Sequence, residues 1–125
     1  MPHIILEYSE NVPEIAFGEG FFNDMHELLI STGPFNLADI KSRAYCSDRY
    51  CIGDGSVQNA FIHLTIRILE GRDVSVRSSL SKVVHTFILE RVGESLEDLA
   101  CSVTVEILEL NGATYTKGDS SILAS

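Results

Sequence analysis

The chain alternates between a two-residue and a 3.6-residue hydrophobic period, and each change of period marks the start of a new element. From Pro2 to Tyr8, the residues Ile4, Leu6 and Tyr8 alternate with His3, Ile5 and Glu7, which predicts a strand with two distinct faces. Phe21, Phe22, Met25, Leu28 and Leu29 then recur at helical spacing as one apolar stripe, closed by Gly33-Pro34. A strand with imperfect alternation is expected over about Ile40 to Cys51. Asp54-Gly55 is a turn signal leading into Ala60 to Leu69, a strand rich in Ile, Leu and Phe that is expected to run antiparallel to the one before. Leu80, Val83, Val84, Phe87 and Ile88 form the clearest helical stripe, with Asp73 or Ser75 available to cap its start. Ser102 to Leu110 alternates again and ends at the Asn111-Gly112 turn.

This order reads as β-α-β followed by β-α-β, in pseudo-repeats of about 2–56 and 60–112 within a single domain spanning 1–125. The expected fold class is α+β, with a four-stranded sheet and two helices on one face. The strands are rich in apolar residues at both alternating sets of positions, so the face away from the helices is expected to be buried by oligomerisation. The tail 113–125, which carries Ser and Gly, is expected to form a short ribbon or to pack on a neighbouring subunit.

Composition narrows the function classes. At 125 residues with 45% hydrophobic and 22% charged positions, the chain has the make-up of one globular domain. Its net charge of −9 repels polyanions and argues against a nucleic-acid partner, so an anionic ligand needs a local basic pocket. No stretch approaches the roughly 18 apolar residues of a membrane span and no signal-peptide pattern opens the sequence; no membrane partner and a cytoplasmic location are expected. Cys46, Cys51 and Cys101 form an odd set without a CxxC pair, which points to reduced thiols and to no metal site. Cys46 and Cys101 are expected to pack inside strands. The acidic residues between Glu90 and Asp98 read as a solvated helix end.

Two positions carry candidate chemistry. Removal of Met1 would convert Pro2 from a strand starter into a secondary amine, and an N-terminal amine titrates at about 7.7 to 8.0, close enough to neutrality to move protons. An apolar or cationic setting would lower that value further. Pro2 equally suits the first position of a strand, where no ladder N–H is needed. Arg72 follows Gly71 at a strand end, just ahead of a helix N-terminus, where its planar fork suits a carboxylate; the plain alternative is a solvated loop arginine. His3 and His63 lie inside strands with no second ligand at fixed spacing and read as structural, while Tyr8, Tyr45 and Tyr50 have no orientation that the sequence defines.

The opening Met1-Pro2-His3, the segment Ile40-Lys41-Ser42-Arg43, the strand Phe61-Ile62-His63-Leu64-Thr65 and Gly71-Arg72 together resemble the 5-carboxymethyl-2-hydroxymuconate Δ-isomerases of the tautomerase superfamily. Ile68-Leu69-Glu70-Gly71-Arg72 also resembles the strand-end motif of the smaller 4-oxalocrotonate tautomerases. The resemblance runs from Pro2 to about Leu110 and implies a homotrimer of duplicated β-α-β subunits, with N-terminal Pro2 as proton shuttle and Arg72 as a carboxylate clamp. It implies no metal or organic cofactor. The implied substrate is a small unsaturated carboxylate of the homoprotocatechuate route. A second family arginine falls on Lys41, which keeps the charge but loses the bidentate fork; Arg43 shares its strand face and is positioned to compensate. Lys41 and Arg43 otherwise read as a basic strand edge that discourages aggregation. Other readings are a tautomerase or hydratase acting on a different unsaturated 2-oxo acid, and a non-catalytic trimeric binding protein.

Overall fold

The structure is a computed structural model that describes residues 1–121. Four strands, β1 (His3–Ser9), β2 (Lys41–Ser47), β3 (Asn59–Leu69) and β4 (Ala100–Leu110), form one sheet in the order β2-β1-β3-β4. Helices α1 (Phe21–Thr32) and α2 (Val74–Val92) connect β1 to β2 and β3 to β4, and each strand pair so joined is parallel. The two β-α-β units meet through an antiparallel β1/β3 ladder, His3 opposite Arg67 and Tyr8 opposite Ile62. The class is α+β, as the pattern predicted.

Strand position in the sheet follows polarity. β1 and β3 contribute Ile4, Leu6, Ile62, Leu64, Ile66 and Ile68 to the core and take the central places, while β2, with Lys41, Ser42 and Arg43, takes an edge. β2 and β3 do run in opposite directions, but β1 lies between them, so Asp54-Gly55 turns the chain without making a hairpin. That turn is held by Asp54, whose carboxylate accepts from the Ser56 amide (3.0 Å) and the Asn59 side-chain amide (2.9 Å). β2 ends at Ser47, earlier than its apolar content suggested.

Both helices cover one face of the sheet. Phe21, Met25 and Leu29 of α1 and Leu80, Val84, Ile88 and Val92 of α2 share a single core with the inward residues of β1 and β3. Phe21 and Phe87 bring the two helices together with ring centroids 5.5 Å apart. Asp73 occupies the N-cap position of α2, but its backbone carbonyl rather than its carboxylate receives the first amides, those of Val76 and Arg77, and Ser75 lies within the helix. Leu64 is fully enclosed at the centre of β3. Leu64→Ala is expected to lower unfolding stability by about 2 to 5 kcal/mol, read from the denaturant midpoint at unchanged slope.

The opposite face departs from expectation. Instead of being apolar throughout, it mixes Ile5, Phe61 and Leu108 with His63, Arg67 and Glu106, because the alternating outward positions of β3 and β4 are largely polar. There His63 bridges Thr104 (2.6 Å) and Glu106 (2.9 Å) across the β3/β4 ladder. Cys101 is half-buried against the core, and burial pushes its thiol pKa up. Cys46 is exposed on edge strand β2 rather than packed, since an edge strand has a neighbour on one side only. Glu90, Glu94, Glu97 and Asp98 are exposed. Among the described residues, no helix is long and apolar enough to cross a membrane.

Candidate active site

Sheet register sets the site. Because His3 pairs antiparallel with Arg67, the chain before β1 and the chain after β3 emerge at the same end of the sheet. β3 turns out of the sheet at Gly71, whose φ of 121° is readily adopted only by glycine, and delivers Arg72 beside the N-terminus. The turn is pinned on both sides. The Gly71 amide donates to Glu109 Oε2 (3.3 Å), Arg77 Nε donates to the Arg72 carbonyl (3.2 Å), and Arg77 pairs with Glu109 (3.5 Å). The Arg72 guanidinium lies 5.0 Å from the centroid of the Phe35 ring, a cation–π contact that fixes its plane. Its Nε is buried and has no hydrogen-bond partner among the described residues.

Arg72 and Phe35 line a cavity of about 410 Å³ together with Met1, Asp39, Tyr115 and Lys117. A second cavity, of about 270 Å³, shares Phe35 and Arg72 and continues toward Arg77 and Ser79 of α2. Pro2 is buried, and its carbonyl accepts from the Lys41 amide at 3.1 Å. The Met1 amine donates to the carbonyl of Asp39 (3.2 Å). That same carbonyl accepts from Lys41 Nζ (3.3 Å), and the Asp39 carboxylate takes Lys117 Nζ at 2.9 Å. Asp39 thus gathers three cationic groups at the start of β1. Burial lowers the pKa of the N-terminal amine; Asp39 opposes that shift, and Lys117 and Lys41 add to it. Arg72, Lys117 and the Met1 amine make this cavity locally basic in an otherwise acidic chain.

The four residues singled out in the sequence divide into two groups. Met1 lines the cavity together with Arg72, and Pro2 follows it, buried, just ahead of β1 without lining the cavity itself. Lys41 and Arg43 do not line this cavity: they stand on the open face of the sheet, in register with His3 and Ile5. Arg43 Nη1 donates to His3 Nδ1 (3.1 Å), and His3 Nε2 lies 2.9 Å from the Tyr115 hydroxyl. Burial, Arg43 and Lys41 all lower the His3 pKa, which keeps the ring neutral near pH 7. Phe35, Asp39, Tyr115 and Lys117 were not read from the sequence. The usable signal for the last two was the Asn111-Gly112 turn, which reverses the chain after β4, followed by Tyr115-x-Lys117 at the two-residue spacing that puts both side chains on one side.

This arrangement, two β-α-β units with a basic cavity at the N-terminal end of the first strand, is a tautomerase fold. The chain superposes on the crystal structure of a 5-carboxymethyl-2-hydroxymuconate isomerase from Deinococcus radiodurans R1 with a TM-score of 0.81 and 24% identity, covering 99% of this chain and 94% of the other. It superposes on a fused 4-OT wild-type symmetric trimer with a TM-score of 0.67 and 15% identity, covering 98% of each chain. Residues 2–122 match the profile of the 5-carboxymethyl-2-hydroxymuconate isomerase family. The chain is also 32% identical, over 111 residues, to the 5-carboxymethyl-2-hydroxymuconate Delta-isomerase of Escherichia coli, covering 89% of this chain and 88% of that protein. It belongs to this family of isomerases.

Proposed function

We propose that the protein isomerises 5-carboxymethyl-2-hydroxymuconate in the catabolism of homoprotocatechuate, with the Pro2 amine, freed by loss of Met1, as base and then acid. The reading rests chiefly on one observation, the shared cavity of the N-terminus and Arg72. Pro2 takes the proton of the 2-hydroxyl group and returns it to a distant carbon of the dienol. One O–H bond breaks, one C–H bond forms, the double bonds shift and the 2-oxo isomer leaves with no change in composition. Negative charge that develops toward the 2-oxo end is stabilised by the surrounding cations, and Arg72 holds a carboxylate. The setting that lowers the Met1 amine pKa, burial with Lys117 and Lys41 nearby, would act in the same direction on a Pro2 amine one residue on.

The assembly is proposed to be a cytoplasmic homotrimer. Support comes from the mixed apolar and polar open face, suited to an interface, and from the trimer named for a chain of the same fold. In such a trimer Lys41 and Arg43, turned away from their own cavity, are available to a neighbouring subunit's substrate. One observation favours a related reading, a tautomerase or hydratase acting on another unsaturated 2-oxo acid. Lys41 stands where the family resemblance expects an arginine, and a lysine cannot make the paired contact to a carboxylate.

Ultraviolet monitoring of ketonisation by protein confirmed by mass to begin at Pro2 tests both. Faster turnover of 5-carboxymethyl-2-hydroxymuconate than of 2-hydroxymuconate or phenylenolpyruvate is expected. Preference for one of the simpler acids would move the assignment to the related reading. Flat traces on all three would leave a trimeric binding protein.

A further inference from the structure

We infer that the C-terminal segment around Tyr115 and Lys117 is a substrate-recognition strap, and that these two side chains bind the carboxymethyl carboxylate that distinguishes a tricarboxylate from a simple muconate. The inference rests on the function proposed above for its substrate. The geometry comes from the chain itself. After the turn at Asn111, whose side chain accepts the Ala113 amide (2.9 Å), the segment runs back past the start of β1, and Tyr115 and Lys117 both reach the cavity that holds Arg72.

The hydrogen-bond directions around His3 leave the tyrosine proton unused. Arg43 can only donate, so His3 Nδ1 must be the acceptor of that 3.1 Å contact. A neutral imidazole then carries its proton on Nε2 and donates it to the Tyr115 oxygen at 2.9 Å. Among the described residues the Tyr115 O–H hydrogen has no acceptor, and Tyr115 is one of the residues that line the cavity. Two residues along, Lys117 Nζ is bound to Asp39 Oδ1 in an exposed pair, a contact that an incoming carboxylate can share or replace at small cost. One O–H donor and one ammonium group on two residues that line one cavity can together hold a carboxylate.

The chemistry of the substrate calls for it. A muconate has a carboxylate at each end, and the carboxymethyl branch adds a third. Arg72, stacked on Phe35 and partly enclosed, suits a terminal carboxylate of the reacting chain. Lys117 and Tyr115 line the same cavity, and the half-exposed Lys117 side chain is near solvent, where a branch off the reacting chain would emerge.

Two measurements test this, one of them independent of turnover. In kinetics, Lys117→Met is expected to raise KM for 5-carboxymethyl-2-hydroxymuconate by about tenfold more than KM for 2-hydroxymuconate, and Tyr115→Phe by about threefold more. Lys117→Arg should restore most of the loss. In calorimetry, the unreactive propane-1,2,3-tricarboxylate should bind the wild-type protein more tightly than glutarate, which lacks only the central carboxylate, and Lys117→Met should abolish that difference. Equal effects on the tri- and dicarboxylate, or none on either, would overturn the strap while leaving the isomerase assignment intact. A wild-type protein inert toward both muconates that still prefers the tricarboxylate through Lys117 would overturn the assignment and keep the strap.

Discussion

Blocking the Pro2 nitrogen is expected to abolish isomerisation while leaving the fold unchanged. Any residue retained ahead of Pro2, whether Met1 or an added extension, makes the nitrogen a tertiary amide with no basic lone pair. Relative to protein that starts at Pro2, turnover should fall by about a hundred- to ten-thousand-fold, the usual contribution of a positioned general base, with an unaltered circular dichroism spectrum. Pro2→Ala keeps an amine but loses the ring that fixes its direction, and a strong but smaller loss of kcat is expected. The pH profile gives a separate check. A base works only when unprotonated, so kcat/KM should decline as pH falls through the amine pKa. The setting that lowers the Met1 amine, burial with Lys117 and Lys41 nearby and Asp39 opposing, is expected to move that decline below the value of a free N-terminal amine. Full activity of a chain confirmed by mass to retain Met1 would remove Pro2 from the mechanism.

Arg72→Ala is expected to lower kcat/KM by about a hundredfold or more, mainly through KM, because a bidentate, charge-assisted contact to a carboxylate is lost. Arg72→Lys should recover only part of it, since an ammonium group restores charge without the planar fork or the stacking on Phe35. The substitution removes no enclosed hydrophobic group, and the turn is held independently by the backbone contacts of Gly71 and by Arg77 with Glu109. Unfolding transitions of both variants should therefore stay close to that of the wild type. A loss of kcat at unchanged KM would instead assign Arg72 to charge stabilisation in the transition state.

The legible parts of the fold were those written in local periodicity. The stripe from Leu80 to Ile88 is the buried face of α2, and the alternation of Ile4, Leu6 and Tyr8 is the inner face of β1. Neighbourhood across the sheet was not legible in the same way. β1 separates β2 from β3 because the two most apolar strands claim the centre, a competition among all four strands that no single segment records. Cys46 was misplaced for the same reason: its exposure is set by the edge position of β2, not by its own surroundings in sequence. Pro2 and Arg72 were visible as candidate chemistry, and the register of His3 with Arg67 puts the N-terminus and the end of β3 at one end of the sheet. The turn at Asn111-Gly112 hinted at Tyr115, but its place could not be read because its partner, His3, is 112 positions away.

The β2–β3 connection, residues 48–58, lies at the end of the sheet where β1 and β2 finish and β3 begins, the end farthest from Met1 and Arg72. It also carries an exposed thiol, Cys51. That makes it the natural handle for this molecule. A fluorophore, a surface linkage or an inserted peptide placed there reports on or immobilises the protein without intruding on the chemistry, whereas the customary tag at the amino terminus would cap the very nitrogen assigned to proton transfer.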